Sequence, residues 1–383
     1  MDGPGLESDA RPQRSGTALK IGILSFRLGG SDGVAIEAAK WARALETSGH
    51  EVSRIAGEFG DATSGRDVHI PALALTPRAD ANPPADLDKL TDTLAALDLL
   101  IVENVFAIPM RLPASNLAAA AARSWGGPVI GHHHDPAWQR PHYAHIKDLP
   151  PELERITHVV INELTARQFT DRGMDATIVR NHFDFDRSLG DRAAGRAGAS
   201  TLLGDDIDPE TIVALHPVRA IERKNVPAAL DAARELQART GRDVIYWLAG
   251  GAEDGYGPQL ERHLAVAGVP WIQGMPCSIA DAYAASDVVV FPSTWEGFGN
   301  PNIESVWARK PIITGMYPVV DELRALGLVL ADIQQVSQVA EWLQDREGWR
   351  KVAATNRDLA RRHLDLNDLP RRLASLIDQA VAR

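Results

Sequence analysis

Two glutamates, Glu296 and Glu304, stand eight residues apart in the segment FPSTWEGFGNPNIESVWARKP. An ionised carboxylate accepts hydrogen bonds from two hydroxyls at once, so such a pair suits a polyhydroxyl ligand. Gly297, Phe298, Gly299, Asn300 and Pro301 run between them. Upstream, Arg219 and Lys224 lie five apart in VRAIERKN. A surface basic cluster would show the same composition. Gly29-Gly30-Ser31-Asp32-Gly33 follows an apolar run, and glycines there let a backbone approach an anion closely. It lacks the G-x-G-x-x-G fingerprint, and no G-x-x-x-x-G-K-[ST] loop occurs in the chain. Gly250-Gly251 marks a further turn.

His132-His133-His134-Asp135 suggests a metal at first sight. Neighbours on an extended chain point to opposite faces, so three adjacent imidazoles do not readily converge on one ion. No other His or Cys cluster has ligand spacing. The reading is therefore no metal site, with a packed core histidine as the plain alternative for His134.

These residues need elements to hold them. Asp287–Phe291 is short, apolar and β-branched, and predicts a buried parallel strand. A helix is predicted over Asn302–Arg309, with Pro301 just before it. Glu296, Phe298 and Gly299 thus fall on a strand-to-helix loop. Ligands of open α/β sheets bind where such loops gather, and a helix start favours anions.

The same rhythm recurs along the chain. Strands are predicted at 20–26, 99–102, 129–131, 158–161 and 176–179, then at 212–215, 244–248, 288–291, 312–314 and 328–330. Helices fall over 34–45, with Gly49 as a stop, and over 226–238 and 258–267. Alternating strands and helices imply parallel sheets covered on both faces. The fold class expected is α/β, as two tandem Rossmann-like doubly wound domains with an interdomain cleft. The first spans 18–186 and the second 208–364. Residues 187–207, rich in Gly, Ala and charge, read as a linker. Residues 1–17 read as a disordered leader without the apolar core of a secretory signal. Residues 365–383 read as an amphipathic terminal helix.

At 383 residues, with 45% hydrophobic and 24% charged residues, the composition is that of a two-domain soluble protein. The net charge of −11 disfavours nucleic acid as a partner. One cysteine, Cys277, excludes an internal disulfide. No apolar run approaches the ~18–20 residues of a membrane span, so a cytoplasmic location is expected. No strongly basic amphipathic helix supports peripheral membrane contact, which stays open, as does the oligomeric state.

The run E-G-F-G-x-P-x-x-E after V-V-V-F-P-S resembles the donor-site signature of GT-B retaining glycosyltransferases of the family 4 type. The resemblance implies that Glu296 lies near the transferred sugar and Glu304 binds the ribose. It implies that Phe298 and Gly299 offer backbone N–H groups to sugar or phosphate, and that Asn300 belongs to the same donor site. VRAIERKN is similar to the family's G-R-x-x-x-x-K-G, with Val218 and Asn225 in place of the glycines. Arg219 and Lys224 would then hold the diphosphate, where fixed cations offset charge on the leaving group. Gly29, Gly30 and Gly250 would line the donor, and the terminal helix would cross back to the first domain.

H-D-x-A-W, ending at Trp138, resembles the family's acceptor side. His134 would touch the transferred sugar or the acceptor, with Glu103, Asn104, Asp135 and Trp138 nearby. Asn181 matches a hinge turn in which Arg180 and His182 replace Pro and Gly. Met316–Glu322 departs from the family's Gly-Gly-x-x-E loop.

The implied activity is transfer of a hexosyl group from a UDP- or GDP-sugar to an acceptor hydroxyl of unknown identity, with retention. The nucleotide-sugar would be a substrate, and neither a cofactor nor a metal is expected. Two other readings stand beside it: a sugar-nucleotide epimerase of the same architecture, and a non-catalytic nucleotide-sugar binding protein.

Overall fold

The computed structural model describes residues 18–30 and 32–382. The expected leader, 1–17, lies outside the described residues, as does Ser31. Two fully parallel sheets carry the fold. The first holds β1 (Lys20–Leu28), β2 (Glu51–Phe59), β3 (Val68–His69), β4 (Leu99–Glu103), β5 (Val129–His133), β6 (Ile156–Val160) and β7 (Ala176–Ile178). Their order is β3-β2-β1-β4-β5-β6-β7. The second holds β8 (Ile212–His216), β9 (Val244–Leu248), β10 (Trp271–Gln273), β11 (Val288–Phe291), β12 (Ile312–Thr314) and β13 (Ala331–Asp332), ordered β10-β9-β8-β11-β12-β13. β4, β5, β8, β9 and β11 are buried throughout, as expected of strands covered on both faces. In each sheet the strand order reverses once, between β1 and β4 and between β8 and β11. Two doubly wound domains face one another, the GT-B arrangement.

Three strands were not anticipated. β2 reads EVSRIAGEF, whose Ser, Arg and Glu interrupt the apolar run because one side is only half-buried. β3 and β10 are two and three residues long, too short for a pattern. The strand expected at 328–330 falls instead at Ala331–Asp332, although Leu328 and Leu330 are buried.

The linker expected at 187–207 is also revised. Residues Arg192–Leu203 form a helix, begun by Asp191, which accepts from the N–H groups of Ala193 and Ala194, and ended by Gly204. It packs on the helix Ile279–Ala285 so closely that a Cβ on Gly195 would strike the Asp281 carbonyl. Small residues permit this approach, so the helix buries a face without the large apolar side chains that make a pattern legible.

The chain crosses between domains at Asn181–Phe185 and returns after the helix Arg346–Leu364. The crossings are joined by backbone bonds, Phe183 N–H to Leu364 O at 2.7 Å and Leu366 N–H to Phe183 O at 2.9 Å. The final helix, Leu369–Ala382, then lies on the first domain. Its Leu369, Leu373, Leu376, Ile377 and Ala380 share a core with Trp41 and Leu45 of the helix Gly33–Thr47. No helix among the described residues is long and apolar enough to cross a membrane.

Leu373→Ala should therefore destabilise the first domain by about 2–5 kcal/mol, the usual range for emptying a buried leucine site. A drop in the melting temperature checks this. An unchanged value would contradict docking of the terminal helix.

Candidate active site

The second-domain part of the site begins where buried β11 ends. The following loop turns at Gly299, whose φ is 83°. A Cβ there would collide with the Tyr317 hydroxyl, so only glycine fits. Asn300 opens the helix Asn300–Trp307 with Pro301 in its first turn. No group among the described residues accepts from the N–H of Phe298 or Gly299. The Phe298 side chain itself is core. Glu304 lies one turn into the helix, half-buried, and accepts from the buried Tyr283 hydroxyl at 2.6 Å.

Glu296 is buried at 8% exposure. Its Oε1 accepts from Lys224 Nζ at 2.5 Å and Arg223 Nη1 at 2.6 Å. Burial pushes this carboxyl up, but the Lys224 and Arg223 cations outweigh it and hold the group below its ordinary value. Lys224 is pushed down by burial, with Glu296 opposing. Arg219, expected beside Lys224 at the diphosphate, meets Glu253 at 2.6 Å on the surface.

Gly250 governs the Arg219 loop. Its N–H donates to Val218 O at 2.9 Å, and a Cβ would sit 2.8 Å from Arg219 Cα. The two replaced family glycines have local reasons. Val218 is packed in the core. Asn225 takes a left-handed φ of 56°, which asparagine tolerates, and caps the helix Val226–Thr240 by accepting from Ala228 N–H.

The first-domain part is built on the ends of β4 and β5. The three histidines alternate as expected: His133 turns to His158 and Phe169, while His132 and His134 face Glu103. Glu103 is fully buried and accepts from His132 Nδ1 at 2.9 Å and His134 Nε2 at 3.0 Å. Burial raises the Glu103 carboxyl, yet the two imidazoles bring it down to about 2. Burial lowers His134, but the Glu103 carboxylate overcomes it and raises it. Burial outweighs the same carboxylate at His132 and lowers it, so the two imidazoles are shifted in opposite directions. Glu103, His132 and His134 offer ligand atoms within 4.8 Å of one another, a set that could hold a metal ion. The third ligand, Glu103, comes from another strand, which adjacency of the histidines did not reveal. The three side chains hydrogen-bond one another, while the buried His132 Nε2 has no partner among the described residues.

Asn104, left-handed at φ 63°, accepts the N–H groups of His134 and Asp135 on its Oδ1 at 3.0 and 3.2 Å. It thereby shapes the loop. Asp135 pairs with Arg140 at 2.6 Å. Trp138 donates to Gln168 at 2.9 Å and lies under the Arg172 guanidinium. Gly29 turns at φ 72° against Asp61, and Gly30 faces Asp32.

The two halves meet. A Cβ on Gly297 would lie 2.8 Å from the His134 carbonyl and 3.7 Å from Asp135 Oδ1, so the Glu296 loop rests on the His134 loop. Asn162 Nδ2 donates to Gly297 O at 2.6 Å. Asn181 donates to Asn300 at 3.1 Å. Glu322, in the stretch that departs from the family loop, accepts both Glu163 and Leu164 N–H at 2.8 Å. Arg223, Tyr283 and Asn162 were not singled out from sequence, and His132 and Glu322 were named there without a role at the site. Arg223 lay beside Lys224 in the basic cluster, but spacing alone does not say which cation turns inward.

Residues 205–348 match the family described as glycosyl transferases group 1. Over 92% of its length the chain is 25% identical to the mannosylglucosylglycerate synthase of Thermotoga maritima, covering 98% of that relative. It is 27% identical to the protein of the same name from Petrotoga mobilis, over 79% of this chain and 83% of that one. In structure it is similar to HepE of Anabaena, solved with UDP and glucose, at a TM-score of 0.72 and 16% identity over 94% of this chain and 100% of that one. It is similar too to sucrose-phosphate synthase from Thermosynechococcus elongatus, at a TM-score of 0.69 and 14% identity over 95% and 99%.

The buried Glu103–His134 pair predicts a pH signature. Glu103, depressed from 4.5 to about 2, contributes stability that is full above pH 4.5 and lost as pH falls toward 2. His134, raised above 6.5, contributes stability that is full below 6.5 and lost as pH rises through its folded value. Glu103→Gln should cost about 1.5–3 kcal/mol, as for a hydrogen bond to a charged group, mainly between those limits. Melting temperatures of both proteins across pH check it. A gap that does not vary with pH would refute the charged pair.

Proposed function

We propose that this chain, which has the GT-B architecture, is a glycosyltransferase that moves a hexosyl group from a nucleoside-diphosphate sugar to an acceptor hydroxyl with retention of configuration. One observation carries the reading: the buried Glu296 carboxylate is held ionised by Lys224 and Arg223, on a loop whose Gly297 backbone rests against the His134 loop of the opposite domain. A charged acceptor there can orient sugar hydroxyls from one side of the cleft while the acceptor enters from the other.

Glu304 takes the ribose hydroxyls, as its place one turn into the helix behind the loop suggests. Lys224 and Arg219 receive the diphosphate. Arg219 leaves only an exposed ion pair, which is worth about 0–1 kcal/mol, so its release costs little. The sugar–phosphate bond breaks as the acceptor oxygen bonds to the same carbon on the same face. The acceptor proton passes to the departing phosphate oxygen. Fixed cations stabilise the charge that develops there, and the closed cleft excludes water. The charge on the leaving group is met by side chains, so the reaction is proposed to need no divalent ion.

UDP- and GDP-sugars both fit. The two relatives named for mannosylglucosylglycerate make a mannosyl donor and a glycerate-bearing glycoside acceptor the first pair to test.

A thermal-shift screen against UDP, GDP, ADP and TDP is the direct test, since a ligand that binds only the folded state raises its stability. One nucleotide should stand out, and a flat response would overturn the reading. A sugar nucleotide that changes without an acceptor would instead indicate an epimerase, and binding without turnover a non-catalytic protein.

With the responding nucleotide, Glu304→Ala should weaken binding by roughly 10–100-fold, the loss of a hydrogen bond to a charged group. Lys224→Ala should weaken nucleotide binding about tenfold and mainly lower turnover, by roughly 10²–10³. Wild-type kinetics in both variants would remove the donor site from this cleft. Activity should persist after exhaustive dialysis against EDTA, and loss restored by a divalent ion would refute metal independence.

A further inference from the structure

Arg223 makes more contacts to the Glu296 loop than a surface cation needs. Its carbonyl accepts from Thr294 N–H at 2.9 Å and from the Thr294 hydroxyl at 3.4 Å. Its Nη1 donates to Trp295 O at 3.1 Å and to Glu296 Oε1 at 2.6 Å. Lys224 Nζ meets the same oxygen. The Ser293 hydroxyl lies beside the same carboxylate and helps to hold it below its ordinary value.

This geometry poses a conflict for the donor site proposed above. Lys224 Nζ is bonded to Glu296 Oε1, yet the proposed diphosphate site needs the same ammonium. A lone buried carboxylate stripped of its cation is strongly disfavoured. With Lys224 as sole counter-ion, Glu296 would compete with the donor for it. Two cations on one oxygen remove the conflict.

We propose that Arg223 is a positioning residue that retains Glu296, charged and aimed by its loop, while Lys224 turns from Oε1 to the donor diphosphate. The inference rests on that donor-site reading. A planar guanidinium, anchored on the Trp295 carbonyl as well, can hold the carboxylate from a fixed direction. Lys224 has a flexible stem and three rotatable donors, which suits the group that moves.

The groups facing Glu296 support the division of labour. From β8 comes His216, kept low at about 3 by burial and then by Lys224, so it is neutral. Tyr317, after β12, is neutral because burial raises it. Across the cleft Asp135 is already paired with Arg140. Arg223 and Lys224 are thus the cations in direct contact with the carboxylate.

The test is a double-mutant cycle on nucleotide affinity, using UDP and GDP as probes on the full chain by calorimetry. Arg223→Gln leaves Lys224 locked on Glu296, so the dissociation constant should rise about tenfold, equivalent to about 1.4 kcal/mol. Adding Glu296→Gln removes the competitor, and the double variant should return to within about twofold of wild type. Arg223→Lys should recover part of the affinity. A merely structural role for Arg223 would not be repaired by a second substitution. Wild-type affinity in Arg223→Gln, or a double variant as weak as the single, overturns the inference. If Lys224→Ala binds UDP and GDP as wild type does, the donor-site reading fails and the inference with it. Weak binding in Lys224→Ala beside normal binding in Arg223→Gln leaves the donor site standing and removes Arg223's role.

Discussion

A carboxylate that must stay charged while buried is the constraint around which this cleft is arranged. Burying an ion costs several kcal/mol unless it is paired and hydrogen-bonded. Glu296 meets that demand with two cations from the loop after β8, although it sits on the loop after β11. β8 and β11 are neighbours where the strand order of the second sheet reverses. Loops leave such a point in opposite directions and open a crevice between them. The crevice and the ion cluster are therefore one feature. The topology brings the charges together, and the charges fix the loops.

The first domain repeats the logic at its own reversal, between β1 and β4. Gly29 and Gly30 leave β1, while Glu103 and Asn104 end β4. Here one buried carboxylate is met by two imidazoles, His132 at the end of β5 and His134 just after it, and its charge raises the second. Each half-site thus carries a pre-set charge before any ligand arrives. Pre-set dipoles and charges need no reorganisation when the bond changes occur.

What brings the halves into register is the backbone between them. Two crossings run side by side and bond to one another at Phe183, so the domains are joined by a paired hinge, not a single tether. Around it, Asn162 holds Gly297, Asn181 holds Asn300, and Glu322 caps the helix Glu163–Thr170. Lys40 adds a bond to the His182 carbonyl. Few of these contacts are large, and together they orient the Glu296 loop against His134.

The sequence by itself determined the α/β class, most of the strands, the place of Glu296, Lys224 and His134 on the loops at their ends, and that of Glu304 in the helix behind. Those features follow from local rules: apolar runs bounded by turn residues, and glycines or Asn225 where φ turns positive. It did not reveal the helix Arg192–Leu203, because close packing on small residues leaves no apolar period. Nor did it separate Arg219 from Arg223. Both are arginines in one basic cluster, and which one meets Glu296 depends on where β11 lies beside β8. The third partner of His132 and His134 was hidden for the same reason, since Glu103 lies about thirty residues away in the chain. Local conformation is written in near neighbours. Which charge faces which is decided only when strands distant in sequence are laid side by side, because electrostatic pairing depends on distance in space.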